Sequence, residues 1–454
     1  MANHRKLELH ADATKNFNEK ADNLLIELTP YSQQSLHKRT NIYQPDSFVS
    51  AHIAEKDIIG EIKLSKADYA GREIAKFFKH GDKYICLNEK SYKKLTELAK
   101  GMQNTKALRD MVSVVLVTDY IFDWMKNKYI NRTSMTMADY VINKCEKELK
   151  ELEIWIPIAM TYIQSEIKIG KIILQTITKD MIKKWSAEWQ TTKPEDQVKI
   201  QQLFEKERKN LQGLAAATIK LFAEPARAFE ISLAEAEKAI SLLRFFSPAN
   251  IFPEIVSYCT VLGKENVETI EYLATQNGKL LRIHHAILDK SALPWHLDNN
   301  ILSTIKENGL DILSDLLNQD NLTEFQKVLL NSLMLYSKSS LAKDFVDKLV
   351  YIIVALESIL LRNENEPIQQ NIGERMAFLI GKSISERESI IKNFKKAYRL
   401  RSSFFHHGHS IEEIDTLKEL MRNAWLSFSE LIQAANQFNT KEELIGAIER
   451  RKLL

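Results

Sequence analysis

Breakers are scarce in this chain: 454 residues contain only 13 glycines and 9 prolines. That is too few for a fold built on many tight turns, and long helices are expected instead. Cysteine is scarcer still. Cys86, Cys145 and Cys259 stand far apart with no CxxC spacing, which argues against a cysteine zinc site or a disulfide framework and suits a reducing cytoplasm. Long apolar runs are also missing. VSVVLV (Val112 to Val117) is cut off by Asp119, and the run from Tyr351 to Leu361 contains Glu357. Neither reaches the roughly 20 apolar residues of a membrane span. The opening MANHRKLELHADATKNFNEK has no apolar core of signal-peptide length, so a cytoplasmic protein away from membranes is expected. Charge of one sign is lacking too. Lys and Arg number 63 against 60 Asp and Glu, a net charge of +3, so any nucleic-acid partner has to be argued from local charge.

What is present is 44% hydrophobic and 27% charged, an ordinary balance for a globular protein longer than one domain. The fold class expected is mainly α with a minor β element, in three regions: 1–152, 153–320 and 321–454. Residues 1 to about 45 are weakly patterned and read as a loose arm or short helices. KYICLN (Lys83 to Asn88) reads as a short strand, and Thr105 to Leu152 as helices. Glu153 to Thr178, rich in Ile, Thr, Trp and Tyr, predicts a hairpin or a two- to three-stranded sheet. TTKPEDQ (Thr191 to Gln197) reads as a loop. The Ala-rich stretch from about Val198 to Phe246 reads as helix, ended by SPANIFPE (Ser247 to Glu254). No repeat of fixed period emerges.

The last third is the most regular. Two apolar-striped helices join near Ser339 to Lys343. Arg362 to Asn371 is a polar loop, and a third helix stops at Gly381. Ser385 with Glu388 predicts the capped start of a fourth helix, Ser410 to Phe438 reads as a fifth, and Thr440 with Glu443 caps a terminal one. A helical bundle over about 322–437 follows.

Chemistry concentrates in AYRLRSSFFHHGHS, which holds His406, His407 and His409, three of the chain's eleven histidines. Upstream lie Lys392, Lys395, Lys396, Arg399 and Arg401, with no acid between 391 and 401. Spacings of three and four put 392, 395, 396 and 399 on one helix face. Such a face is more often simply solvated, and clustered histidines often just close a helix. Leading straight into titratable imidazoles, it also suits a phosphodiester: the cations hold the backbone and a histidine moves protons beside it. A guanidinium can grip the phosphate through two parallel hydrogen bonds. A metal site on His406, His407 and His409 is a weaker alternative, because only Glu412 and Glu413 lie near.

The stretch from about Val350 to Gly408 resembles the HEPN family, particularly its ApeA-like branch. ALESILL (Ala355 to Leu361), ERMAFLIG (Glu374 to Gly381) and YRLRSSFFHHG carry the likeness, the last resembling the family's aromatic-x-x-Arg-Ser-x-x-x-His-Gly signature. The resemblance covers roughly the last quarter of the chain. It implies a metal-independent endoribonuclease, used in antiviral defence, abortive infection or as a toxin. Arg401, Ser402 and His406 would be catalytic, and Lys392, Lys395, Lys396 and Arg399 would bind RNA. Tyr398 matches the upstream aromatic. His407 stands where the pattern often has Gly, so it is a further catalytic candidate, although spacing favours His406. Glu357 and Arg375 match charged positions of earlier helices, where a structural salt bridge is at least as good a reading as a site role. No cofactor and no metal are implied. The partners implied are RNA, with tRNA one candidate, and a second copy of the bundle; an antitoxin or a phage-derived trigger also fits. A HEPN module without catalysis, binding RNA or protein, is the competing reading.

Elsewhere, the first 320 residues show no phosphate loop, nucleophile elbow or zinc pattern, and a sensing role is expected for them by analogy. His284 and His285 read as adjacent residues of a helix with a structural role. Trp155, Trp185, Trp189 and Trp295 read as core rather than as base-stacking platforms.

Overall fold

The computed structural model describes residues 7–31, 64–67, 73–188, 194–264, 269–276, 279–287, 294–407 and 413–452. The chain divides into two compact units, one of Met1–Leu152 with Lys220–Ile231, the other of Glu153–Ile219 with Ser232–Leu454. It is mainly α with a minor β element, as the composition predicts. No helix among the described residues is long and apolar enough to cross a membrane.

The first unit begins with α1 (Ala11–Ile26) and holds strands β1 (Thr29–Tyr31), β2 (Leu64–Ala67), β3 (Glu73–His80) and β4 (Lys83–Leu87). The strands form an antiparallel sheet in the order β1-β4-β3-β2. Helices α2 (Glu89–Gln103), α3 (Val114–Tyr129) and α4 (Met137–Glu148) follow. Each starts at a polar cap: Asn88, Ser113 and Thr136 accept from first-turn N–H groups that lack intrahelical partners. Trp124, Ile121 and Met125 of α3 are buried with Leu95 and Val141. The N-terminal stretch, read as a loose arm or short helices, contains a 16-residue helix, held by burial of Ala21 and Leu24.

The second unit carries more β structure than the sequence predicts. Strands β5 (Lys150–Pro157), β6 (Thr161–Ile163), β7 (Ile167–Ile169) and β8 (Ile172–Thr176) fill the expected stretch, the first three residues of β5 belonging to the first unit. Helices α5 (Lys179–Glu188) and α6 (Pro194–Leu211) separate them from β9 (Ala215–Ala223), whose last four residues also belong to the first unit. The four-stranded sheet runs β5-β9-β8-β7, with Ile173 opposite Thr218 and Thr176 opposite Ala215. So the Ala-rich segment read as helix is partly a strand. Ala215 to Ile219 are five consecutive buried residues, and a strand covered on both faces overrides the helix propensity of alanine. The TTKPEDQ loop also ends early, because Pro194 opens α6, a position where its missing N–H costs nothing. Trp155 and Trp185 are half-buried and meet edge to face at 5.4 Å. Trp295 is half-buried too, and Trp189 lies outside the described residues. His284 and His285 belong to a strand, not a helix: β10 (Thr269–Gln276) pairs antiparallel with β11 (Lys279–Ile287). A further short strand, β12 (Trp295–Leu297), runs parallel to β6.

The helices of this unit are α7 (Pro225–Arg244), whose first residues belong to the first unit, then α8 (Asn299–Ile305), α9 (Asp311–Asn318), α10 (Glu324–Ser339), α11 (Phe345–Leu360), α12 (Ile368–Ile380), α13 (Ile384–His407), α14 (Ile414–Gln433) and α15 (Lys441–Arg451). Their shared core includes Phe325, Leu333, Ile352, Leu356, Phe394 and Phe428, and takes in Leu242, Phe245, Leu313 and Leu316 from before residue 321. Gly309, between α8 and α9, has φ +113°, and a Cβ there would lie 2.5 Å from Ile432 Cγ2. Both backbone and space require glycine. Thr440 caps α15 as its sequence predicts, accepting from Glu443 N–H. The cap of α13 falls two residues earlier than expected: Ser383 accepts from Glu386 N–H, and the Glu386 carboxylate accepts from Lys382 N–H. Helix α12 begins at Ile368, inside the stretch read as loop, because Pro367 can precede a helix without losing a hydrogen bond.

Two buried cations close the C-terminal end of α10. Arg244 donates to Ser337 O at 3.0 Å and Cys259 O at 2.8 Å. Lys348 donates to Ser339 O at 3.3 Å and Ile255 O at 2.9 Å. The last carbonyls of a helix lack intrahelical partners and carry partial negative charge, which is what these cations satisfy. Burial pushes the Lys348 ammonium down to about 8, against weak support from Glu254. Between pH 8 and the ordinary lysine value, the unfolded chain therefore holds a proton that the folded chain has released. Stability from this group rises with pH across that window and is lost as pH falls through 8. Relative to Lys348→Met, the wild type is expected to gain about 3 kcal/mol between pH 8 and 10.5. Urea unfolding of both proteins at several pH values checks this. Parallel stability curves would show that the buried ammonium does not titrate low.

Candidate functional site

Helix α13 follows from its residue pattern. Ile390, Phe394 and Ala397 are buried at spacings of four and three, so one stripe faces the bundle. Lys392, Lys395, Lys396 and Arg399 are all exposed on the remaining surface, as their spacing predicts. Lys396 is ion-paired with Glu413, and that contact holds the Glu413 carboxyl below its ordinary value. Lys392, Lys395 and Arg399 form no salt bridge among the described residues.

Near the end of α13 the guanidinium of Arg401 is positioned from two sides. Its Nη1 lies 3.4 Å from Glu357 Oε1 of α11, with the two side chains 25% and 21% exposed. The ring of Tyr398, one turn back, lies 5.6 Å from the guanidinium carbon, within cation–π range. Tyr398 in turn sits 6.3 Å from the ring of the buried Phe394, so a core residue steadies the aromatic that steadies the arginine. Burial raises the Glu357 carboxyl above its ordinary value and Arg401 only partly offsets this. The pair is therefore half-desolvated, a setting in which a guanidinium keeps a strong field.

Ser402 is exposed. His406 and His407 are helical backbone at the end of α13, while their side chains, His409 and Glu412 lie outside the described residues. Arg401 and His406 are five positions apart on one helix, hence about 140° and about 7.5 Å apart along it. Ser402 and His406, four apart, share a face. Among the described residues no group of three or more His, Cys, Asp and Glu is arranged to hold a metal. The three thiols are buried, and burial raises each one, Cys145 to about 12, which suits packing rather than nucleophilic chemistry.

The two other charged positions singled out in the sequence divide. Glu357 belongs to the site. Arg375 does not: it is 1% exposed and grips Glu366 through two contacts at 2.6 and 2.8 Å, Glu449 Oε1 at 2.8 Å and Leu360 O at 2.6 Å. It ties α12 to α15 and to the end of α11. Nothing in the local sequence marks Glu449 as a partner, because it lies 74 residues away. The chain matches no protein-family model, no curated protein and no solved structure.

Proposed function

We propose that the C-terminal helices form a metal-independent HEPN-type endoribonuclease, acting in antiviral defence or as a conditional toxin in the cytoplasm. One observation carries this reading: a guanidinium held by Glu357 and Tyr398 near the end of a helix whose exposed face presents four cations. Lys392, Lys395, Lys396 and Arg399 guide the RNA backbone along α13. Arg401 holds the scissile phosphate and stabilises the charge that grows on its oxygens. The ribose 2′-oxygen attacks phosphorus, the bond to the 5′-oxygen breaks, and His406 moves the proton as general acid or base. Ser402 orients the phosphate beside it. Because one helix separates Arg401 and His406 by about 140°, the reading includes a homodimer whose two helix ends complete the cleft. Purified protein is expected to cleave total RNA or tRNA in EDTA, leaving 2′,3′-cyclic phosphate and 5′-hydroxyl ends. Products with 5′-phosphate ends, or a need for divalent metal, overturn the mechanism.

A second reading, a HEPN module that binds RNA or protein without cleaving, is favoured by the Glu357 contact itself, which occupies part of the Arg401 guanidinium. RNA binding without cleavage of any RNA tested, in a dimeric protein, would select it.

A further inference from the structure

The first unit carries a cleft of about 690 Å³ between the β3–β4 hairpin and α3. Two segments far apart in sequence meet there. One is the hairpin tip from Lys79 to Lys83, which turns through Gly81 at φ +59° and sets His80 opposite Lys83. Residues directly opposite in an antiparallel pair share a face. The other is the end of α3 and the turn after it, where Lys126 to Arg132 holds three cations and no acid. Asn131, at φ +55°, reverses the chain, and the Arg132 N–H donates to Asn127 O at 2.8 Å. That contact fixes where the arginine leaves the helix. The Tyr129 ring joins the two segments, its centre 5.7 Å from that of His80 and 5.6 Å from that of the buried Phe78.

The carboxylates lining the cleft are already engaged. Asp119 pairs with the buried Lys76, which Glu73 also contacts at 3.3 Å. Asp123 accepts from the Tyr140 hydroxyl at 2.5 Å. Asp82, in the turn, is the one acid of the two segments. Lys79 and Arg132 line the cleft, are exposed and form no ion pair among the described residues. Lys83, across from His80, is exposed and forms none either. Their donors are open to an anion from solvent. Tyr129 is 39% exposed and His80 is exposed beside it, so two accessible rings stand among these cations.

We propose that this cleft binds single-stranded nucleic acid, with backbone phosphates against Lys79, Lys83 and Arg132 and a base against the rings of Tyr129 and His80. Cations beside accessible rings suit a strand of any sequence, since every nucleotide brings a phosphate and every base a π face. A duplex keeps its bases stacked inside and would leave the rings unused. An acidic protein segment would satisfy the cations alone. The site lies in the first unit and does not rest on the ribonuclease reading of α13.

The test is fluorescence anisotropy of the full chain with a labelled deoxythymidine strand of about 12 nucleotides, which lacks the 2′-hydroxyl that the proposed cleavage uses. A companion protein carrying Lys392→Ala, Lys395→Ala and Arg399→Ala removes the cationic face of α13. Wild type and companion are both expected to bind the strand. Loss of binding in the companion would place the strand on α13, overturning the cleft while leaving the ribonuclease reading intact. In the companion background, Tyr129→Leu is expected to weaken binding at least fivefold. Lys79→Ala and Arg132→Ala are each expected to flatten the slope of log affinity against log salt by about 0.7. Melting temperatures report folding, and exposed Arg132 keeps the test decisive if Tyr129→Leu unfolds. No binding by wild type overturns the proposal, and so does binding that folded Tyr129→Leu or Arg132→Ala leaves unchanged. Duplex binding as tight as that of the strand overturns it too. A glutamate polymer bound equally well would make the cleft a dock for acidic protein instead.

Discussion

Arg401→Ala is expected to lower metal-free RNA cleavage by about 10²- to 10³-fold, and His406→Ala by about 10²- to 10⁴-fold. The arginine figure is that of removing one preorganised donor aimed at developing oxyanion charge. Preorganisation is the relevant point, because Arg401 is already fixed by Glu357 at 3.4 Å and by the Tyr398 ring. Arg401→Lys keeps the charge but loses the planar fork, so most of the loss should remain. Single-turnover cleavage of a defined RNA in EDTA measures all three, with melting temperatures as the control for folding. Full activity of Arg401→Ala would remove this residue from the reaction. A loss that followed melting temperature alone would make it structural.

The removal of Arg401 also leaves the half-buried Glu357 without this cation. Its carboxyl is already raised by burial, so in Arg401→Ala it rises further and takes up a proton more readily. The stability cost stays modest because both side chains are about a quarter exposed. Activity and stability should therefore separate cleanly at this position.

Arg375→Met is expected to do the reverse, costing about 3–5 kcal/mol of stability, which is on the order of 10 °C in melting temperature for a unit of this size. The arginine is 1% exposed and satisfies two carboxylates and a carbonyl at once. Removing it strands Glu366, only 14% exposed, without its main partner. The pH dependence should change as well. In the wild type the Arg375 contacts hold the Glu366 carboxyl at about 2, well below its ordinary value. The stability it contributes is fully present above pH 4.5 and is lost as pH falls toward 2. In Arg375→Met that acid-side loss should shrink, because only the Arg362 contacts are left to lower the Glu366 carboxyl. Thermal unfolding between pH 2.5 and 7 compares the two. An unchanged melting temperature at pH 7 would show the network to be dispensable.

These contrasting roles bear on what local pattern can reveal. Both arginines lie in helices that the sequence marks clearly. Only the fold separates them, since the partner of Arg401 is 44 residues away and one partner of Arg375 is 74 away. No periodicity connects positions so distant.

The sequence alone determined the helical class, the presence and order of the last helices, the cap at Thr440 and the exposed face of Lys392, Lys395, Lys396 and Arg399. Each depends on contacts within a few residues, where helical spacing and capping act. Tertiary structure decided what depends on distant neighbours. Ala215 to Ala223 became a strand because β8 pairs with it, against its own helix propensity. Likewise, Arg244 and Lys348 were drawn inside because the carbonyls ending α10 needed donors. Burial and pairing across the chain, not local preference, fixed the position of those side chains.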